Sequence, residues 1–199
     1  MIITIANHKG GVGKTTSVLT MAHLMHLSGV SVNVVDLDAP SGERLAGAAA
    51  SYRRAKFIGI PAYTLQNLPK GVKGHVLIDG PPDMADPGLK KALKASQLVL
   101  IPTTLSFDDL EVSKAFYQGI EAKRKLLLFT QVHHFQQRQL DKKRMALRAE
   151  GFSLSDTVIP RLELFPKASE LKTTVAGITT KQGRKATEPY AQLVKELFS

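Results

Sequence analysis

Cysteine is missing altogether from the 199 residues of this chain. That excludes disulfides, iron–sulfur clusters and thiolate zinc sites, and it fits a reducing, cytoplasmic setting. Long apolar runs are missing too: none approaches the roughly 20 residues that a membrane-crossing helix needs. The opening residues lack the charged-then-apolar pattern of a secretory leader, because glycines and lysines follow directly on a short strand-like run. Acidic residues fall well short of basic ones, 17 Asp and Glu against 27 Lys and Arg, leaving a formal net charge of +10. An imbalance of that size points to a polyanionic partner, nucleic acid first and an anionic membrane surface second. Aromatic residues are sparse around the basic second half, which disfavours stacking on single-stranded bases. No internal repeat, low-complexity linker or charge-block tail divides the chain. Its length suits one α/β domain over residues 1–199.

What is present is a regular alternation. Strand-like apolar runs occur at 2–6, 32–35, 76–78, 98–101, 126–129 and 157–159, with longer helix-like stretches between them. In the first of those stretches, 15–27, Val18, Leu19, Ala22, Leu24 and Met25 fall at helical spacing. Strands separated by helices imply βαβ units, and continuous apolar runs imply strands buried on both faces. The expectation is a mostly parallel twisted sheet with helices on both faces. Runs at 57–60 and 62–65, split by Pro61, are weaker strand candidates.

Directly after the first run, residues 9–16 read Lys-Gly-Gly-Val-Gly-Lys-Thr-Thr. Glycines let backbone N–H groups converge on phosphate oxygens, Lys14 aims a charge at the outer phosphates, and Thr15 offers a hydroxyl to Mg²⁺. This is a P-loop followed by a helix N-terminus. The position where the ordinary pattern has its first glycine is His8, and a second lysine, Lys9, stands beside it. The second run ends in Asp36-Leu37-Asp38, whose acids share one side of an extended segment and should emerge beside the P-loop. The run at 76–78 ends in Asp79-Gly80-Pro81-Pro82, an apolar strand closing on a carboxylate that can reach Mg²⁺ through its water shell, then a stiff turn. A dinucleotide fingerprint is excluded because its third glycine is absent. His23 with His26, and His133 with His134, have no acidic or thiol neighbours to complete a zinc site.

Taken together, these segments resemble the deviant Walker-A ATPases of the ParA/MinD group, most closely the short ParA-type plasmid partition proteins. The signature Lys-Gly-Gly-x-Gly-Lys-Thr-Thr is matched throughout, and the likeness extends through Asp79-Gly80-Pro81-Pro82 to Ile101-Pro102-Thr103-Thr104 and Asp108-Asp109-Leu110. The resemblance implies ATP and Mg²⁺ held by Lys9, Gly10, Gly11, Val12, Gly13, Lys14, Thr15 and Thr16. Within that set Lys14 would sit on the β/γ-phosphates, Thr16 on the α-phosphate and Thr15 on the metal. It further implies that Asp36 and Asp79 hold the metal's water shell and that Asp38 activates the attacking water. Lys9 would reach the nucleotide of a second subunit across an ATP-dependent homodimer. Gln131, next to Thr130, is the candidate for adenine. The family often has Asp-Pro-Gln where this chain has Asp38-Ala39-Pro40.

The implied activity is slow ATP hydrolysis by a dimer that binds double-stranded DNA without sequence preference. A centromere-binding, ParB-type partner would stimulate it, in segregating plasmid or chromosomal DNA on the nucleoid. Arg161, Lys167, Lys172, Lys181, Arg184 and Lys185 are the candidate DNA contacts; a second basic cluster lies within 138–148. The alternatives are an accessory ATPase that recruits a relaxase complex and a nucleotide-gated DNA-binding switch with little turnover. The last ten residues have apolar positions at helical spacing but one lysine, which reads as a helix packing on the domain rather than a membrane anchor.

Overall fold

A computed structural model describes residues 1–37, 50–64 and 67–198. The apolar runs become seven strands: β1 (Ile2–Ile5), β2 (Val32–Asp36), β3 (Ala62–Thr64), β4 (His75–Asp79), β5 (Leu98–Thr103), β6 (Lys125–Val132) and β7 (Leu154–Pro160). They form one sheet in the order β3-β2-β4-β1-β5-β6-β7. Every pairing in it is parallel. Between the strands run α1 (Lys14–Leu27), α2 (Ala50–Phe57), α3 (Pro87–Ala95), α4 (Phe107–Gly119) and α5 (Gln137–Ala149), and α6 (Leu164–Glu170) and α7 (Lys181–Phe198) follow β7.

Alternate residues of each strand supply two cores. Ile3, Ile5, Val34 and Leu77 pack with Leu19 and Met21 of α1, Ala55 of α2, and Tyr190, Leu193 and Leu197 of α7. Val99, Ile101, Leu127 and Phe129 pack on the opposite face with Leu89 of α3, Phe116 of α4, and Leu140 and Leu147 of α5. The expected parallel sheet with helices on both faces is therefore observed. β1 and β4 are neighbours, yet the helix following β1 lies on one face and the helix following β4 on the other. Such a divergence opens a crevice at the carboxyl ends of the two strands, where parallel sheets bind ligands.

One sequence expectation fails. Residues 57–60 are not a strand: Phe57 closes α2, and Gly59, at φ 80°, turns the chain left-handed. The Gly59 N–H donates to Lys56 O at 3.1 Å and the Ile60 N–H to Ala55 O at 2.9 Å, a glycine-capped helix end. Ile60 is nevertheless buried, so its apolar character served packing and not a strand. The second weak run survives as β3, with position 65 outside the described residues.

The C-terminal stretch packs as a helix. α7 buries Tyr190, Leu193 and Leu197, and Glu196 accepts from Ser155 Oγ, the Asp156 and Thr157 N–H groups and Thr157 Oγ1, pinning the edge strand β7. Among the described residues no helix is long and apolar enough to cross a membrane. The start of α7 depends on Gly183, where a Cβ would lie 1.9 Å from the Ile178 carbonyl oxygen. Gly183→Ala should therefore destabilise the chain by about 3 kcal/mol, or roughly 6–12 °C in Tm, when thermal unfolding is followed by circular dichroism. An unchanged Tm would show that this close approach does not exist in solution.

Candidate nucleotide and cation site

The loop between β1 and α1 is shaped by glycine. Gly11 and Gly13 stand at φ 76° and 90°, a region L side chains avoid, and Gly13 caps α1 with no side-chain acceptor on the first turn. A helix start capped by no side chain, at the positive end of the helix dipole, is suited to an anion. The loop is held from outside. Asn7 accepts from the Lys9 N–H at 3.1 Å while its own amide donates to Pro102 O and Ser113 Oγ at 2.7 Å. At the end of β6, Thr130 Oγ1 donates to Val12 O at 2.8 Å, and the Gln131 amide donates to Gly11 O. Gln131 itself is at φ 55°, an unusual conformation for glutamine. The side-chain nitrogen of this candidate adenine contact is thus engaged with the phosphate loop, while the residue also lines the adjoining slot.

The two lysines are placed differently. Lys14 Nζ curls over the loop and donates to Lys9 O at 2.9 Å. Lys9 points out of the loop, 42 % exposed, and its ammonium lies 3.2 Å from Asp109 Oδ1 in the first turn of α4. Asp109 is in turn fixed by Thr104, whose hydroxyl donates to Oδ2 at 2.6 Å. Asp109 as the partner of Lys9 was not readable from the sequence, where it appeared only within a family segment.

Asp36 and Asp79 are register partners on adjacent parallel strands, and each stands two residues beyond a residue of the α1-side core, Val34 and Leu77, so their carboxyls leave the sheet on the α1 side. They are 2 % and 4 % exposed. Asp36 Oδ2 accepts from the Tyr52 N–H at 3.1 Å, and Asp79 Oδ2 accepts from the Thr15 hydroxyl at 2.7 Å. Burial pushes the Asp79 carboxyl up to about 7 and the Asp36 charge adds to the rise, against the Thr15 and Ser51 hydroxyls and the Lys14 ammonium. Asp79 Oδ1 is buried without a hydrogen-bond partner. A buried, orphaned carboxylate oxygen beside a second carboxyl and a threonine hydroxyl is an all-oxygen set that fits a hard divalent cation such as Mg²⁺. Asp38, the candidate water-activating residue, lies outside the described residues.

Two cavities share the loop. One, of about 350 Å³, is a cleft between Gly10–Thr16 residues and Asp79, Gly80 and Pro82. The other, of about 590 Å³, begins at Gly11, Gly13 and Thr16 and runs between Gln131 and the segment bearing Arg161, Phe165 and Pro166. A polar cradle opening into a partly apolar slot has the form needed by a polyphosphate joined to a ring system. Arg161, expected among DNA contacts, lines this slot. It is exposed, as are Lys167, Lys172, Lys181, Arg184 and Lys185. The last three stand at the start of α7, where the first turn holds no acid to offset them. Cations there oppose the helix dipole, an arrangement that an incoming anion would relieve. Arg54 of α2 donates to the carbonyl of Thr173, next to Lys172, at 2.8 Å.

The Asp79 environment has a pH signature. A carboxyl whose folded pKa is raised from 3.8 to about 7 is stabilising only while protonated, so its unfavourable contribution grows from about pH 4 to about pH 7 and then levels off. Without divalent cation, the unfolding free energy of the wild type minus that of Asp79→Asn should fall over that window by up to about 4 kcal/mol. Urea denaturation in EDTA at several pH values measures it. A flat difference would contradict the buried, unpaired carboxyl.

Comparison with known proteins agrees with this geometry. The pattern of the CobQ/CobB/MinD/ParA nucleotide binding domain matches residues 3–175. The chromosome-partitioning ATPase Soj of Thermus thermophilus is 35% identical over 82 residues, which is 41% of this chain and 32% of Soj. The match thus spans about a third of that relative's length. Among solved structures, a protein assigned to plasmid partition in Borrelia burgdorferi B31, bound to AMPPNP, superposes with a TM-score of 0.66 at 20% identity, covering 96% of this chain and 97% of that one. MinD of Pyrococcus horikoshii OT3, complexed with Mg-ADP, gives a TM-score of 0.66 at 16% identity, with 100% and 97% covered. At such identities the agreement is one of fold.

Proposed function

The chain belongs to the CobQ/CobB/MinD/ParA family of nucleotide-binding domains, and from that membership we propose that it is a ParA-type partition ATPase. In this reading ATP bridges two copies, the dimer binds DNA without sequence preference, and a centromere-binding partner stimulates hydrolysis to ADP and phosphate on the nucleoid. The observation that carries it is the division of labour between the two loop lysines. Lys14 is folded over the loop, whereas the Lys9 side chain is 42 % exposed and, among the described residues, pairs with Asp109 of α4. A lysine in that position is available to a nucleotide in another subunit. The kinship with Soj and the similarity to the Borrelia protein support partition as the context.

The residues take these roles. Gly10, Gly11 and Gly13 present backbone donors to the phosphates, and the start of α1 adds its dipole. Lys14 neutralises the outer phosphates and Thr16 contacts the inner one. Thr15, Asp36 and Asp79 hold the cation, which supplies charge neutralisation of the phosphates. Asp38 orients water for in-line attack on the γ-phosphorus; positioning and fixed charge provide most of the acceleration. The slot by Gln131, Arg161 and Phe165 takes the base and ribose. Exchange of the Lys9–Asp109 contact for the second subunit's nucleotide links ATP to dimerisation. Dimerisation doubles the cationic surface offered by Lys167, Lys172, Lys181, Arg184 and Lys185.

Sedimentation with ADP or a non-hydrolysable ATP analogue, with and without DNA, tests this. Wild type should dimerise with the ATP analogue alone and bind DNA only then. Lys14→Ala should lose nucleotide binding by about a hundredfold or more, each 1.4 kcal/mol being tenfold. Lys9→Ala should bind nucleotide within a few fold of wild type yet remain monomeric. Replacing Lys181, Arg184 and Lys185 by alanine, which removes these cations from both subunits, should flatten the slope of log affinity for DNA against log salt by up to about 5. A Lys9→Ala protein that still dimerises on ATP, or a wild type that never does, would remove the basis of the reading.

A further inference from the structure

The cation site has one polar group that the sequence pattern did not mark. α2 begins at Ala50, and its first turn is packed against the acid pair: the Tyr52 N–H donates to Asp36 Oδ2 at 3.1 Å, and Ser51, one residue earlier, is 1 % exposed. The Ser51 hydroxyl is buried without a hydrogen-bond partner, and so is Asp79 Oδ1. Both are close enough that the hydroxyl helps to draw the Asp79 carboxyl back toward ionisation. Each orphan of this kind costs about 1–3 kcal/mol. Two buried orphans in one neighbourhood leave a place for something with both donor and acceptor character, and a water is the smallest such group.

The other oxygen of Asp79 is already committed, since Oδ2 accepts from Thr15 at 2.7 Å. Oδ1 is therefore the oxygen of Asp79 that remains to be satisfied. A serine needed only for packing would carry no hydroxyl into a buried site, because alanine fills nearly the same space without an unsatisfied group. We propose that Ser51 is a positioning residue of the cation site: its hydroxyl and Asp79 Oδ1 together hold one water of the bound divalent ion's shell. The assignment rests on the nucleotide-and-cation reading above and adds α2 to the elements that sense the ion. Partners one layer out from a metal typically change its affinity 10–100-fold when removed.

The test uses the full chain saturated with ADP and titrated with MnCl₂, with free Mn²⁺ followed by electron paramagnetic resonance. Ser51→Ala should weaken Mn²⁺ binding about tenfold, while Ser51→Thr, which keeps the hydroxyl, stays within about threefold of wild type. In EDTA, ADP affinity should be the same for wild type and Ser51→Ala, and the urea midpoint of Ser51→Ala should be no lower than that of wild type. Wild-type Mn²⁺ affinity in Ser51→Ala overturns the proposal and shows a hydroxyl that bonds Asp79 directly. Loss of ADP binding in EDTA by both variants also overturns it, showing a packing role. A wild type that binds ADP but draws no Mn²⁺ to it would instead sink the cation site as a whole, Ser51 included.

Discussion

Two carboxyls at the same level of adjacent strands, both buried, are the constraint around which this molecule is organised. Asp36 and Asp79 are register partners, and their side chains leave the sheet on the same face. Desolvation, with the neighbouring Asp36 charge adding to it, disfavours ionisation of Asp79, which is why that carboxyl rises to about 7. Their surroundings answer that penalty only in part. Thr15, the Tyr52 N–H and the Lys14 charge each offset some of it, yet Asp79 Oδ1 is left without a partner. A carboxyl pair arranged in this way is the kind of site that a divalent cation would relieve.

The sheet order delivers the phosphate cradle to the same point. β1 lies between β4 and β5, so the loop after β1 and the acid ending β4 emerge side by side, with α1 and α3 diverging to opposite faces. The Gly80 N–H donates to Ile5 O at 2.9 Å, fastening the two strand ends where they meet. A Cβ at Gly80 would come within 2.9 Å of Ala6 Cβ, so this contact admits only glycine without displacement. Asn7, Thr130 and Gln131 then brace the loop from β5 and β6. A loop held on three sides keeps its backbone donors in place before a ligand arrives, which reduces the ordering that binding must impose.

Lys9 stands apart from this rigidity. Its bond to Asp109 is made at the surface, with the lysine 42 % exposed, and exposed ion pairs contribute about 0–1 kcal/mol. Asp109 is the more firmly placed partner, fixed by Thr104. The contact therefore holds Lys9 in position at little energetic cost to its release. Weak restraint of one lysine beside a tightly built cradle gives the site one fixed part and one transferable part.

The P-loop, the strand runs and the acidic strand ends were legible in the sequence because each is a local pattern: glycines at fixed offsets, apolar continuity, a carboxylate closing a run. The strand expected at 57–60 was lost for an equally local reason, since Gly59 signals a helix end as readily as a turn before a strand. Other features join residues far apart in the chain and have no local signature. The pairing of Lys9 with Asp109, the tie from Gln131 to Gly11, and the approach of Ser51 to Asp79 belong to that class. The residue types alone pointed to a phosphate and cation site near residues 9–16. Which of the acids face each other, which side chain restrains the spare lysine and which hydroxyl is left waiting beside Asp79 were decided only by strand order and register. Those are set by the packing of the whole sheet, and no stretch of the sequence contains them.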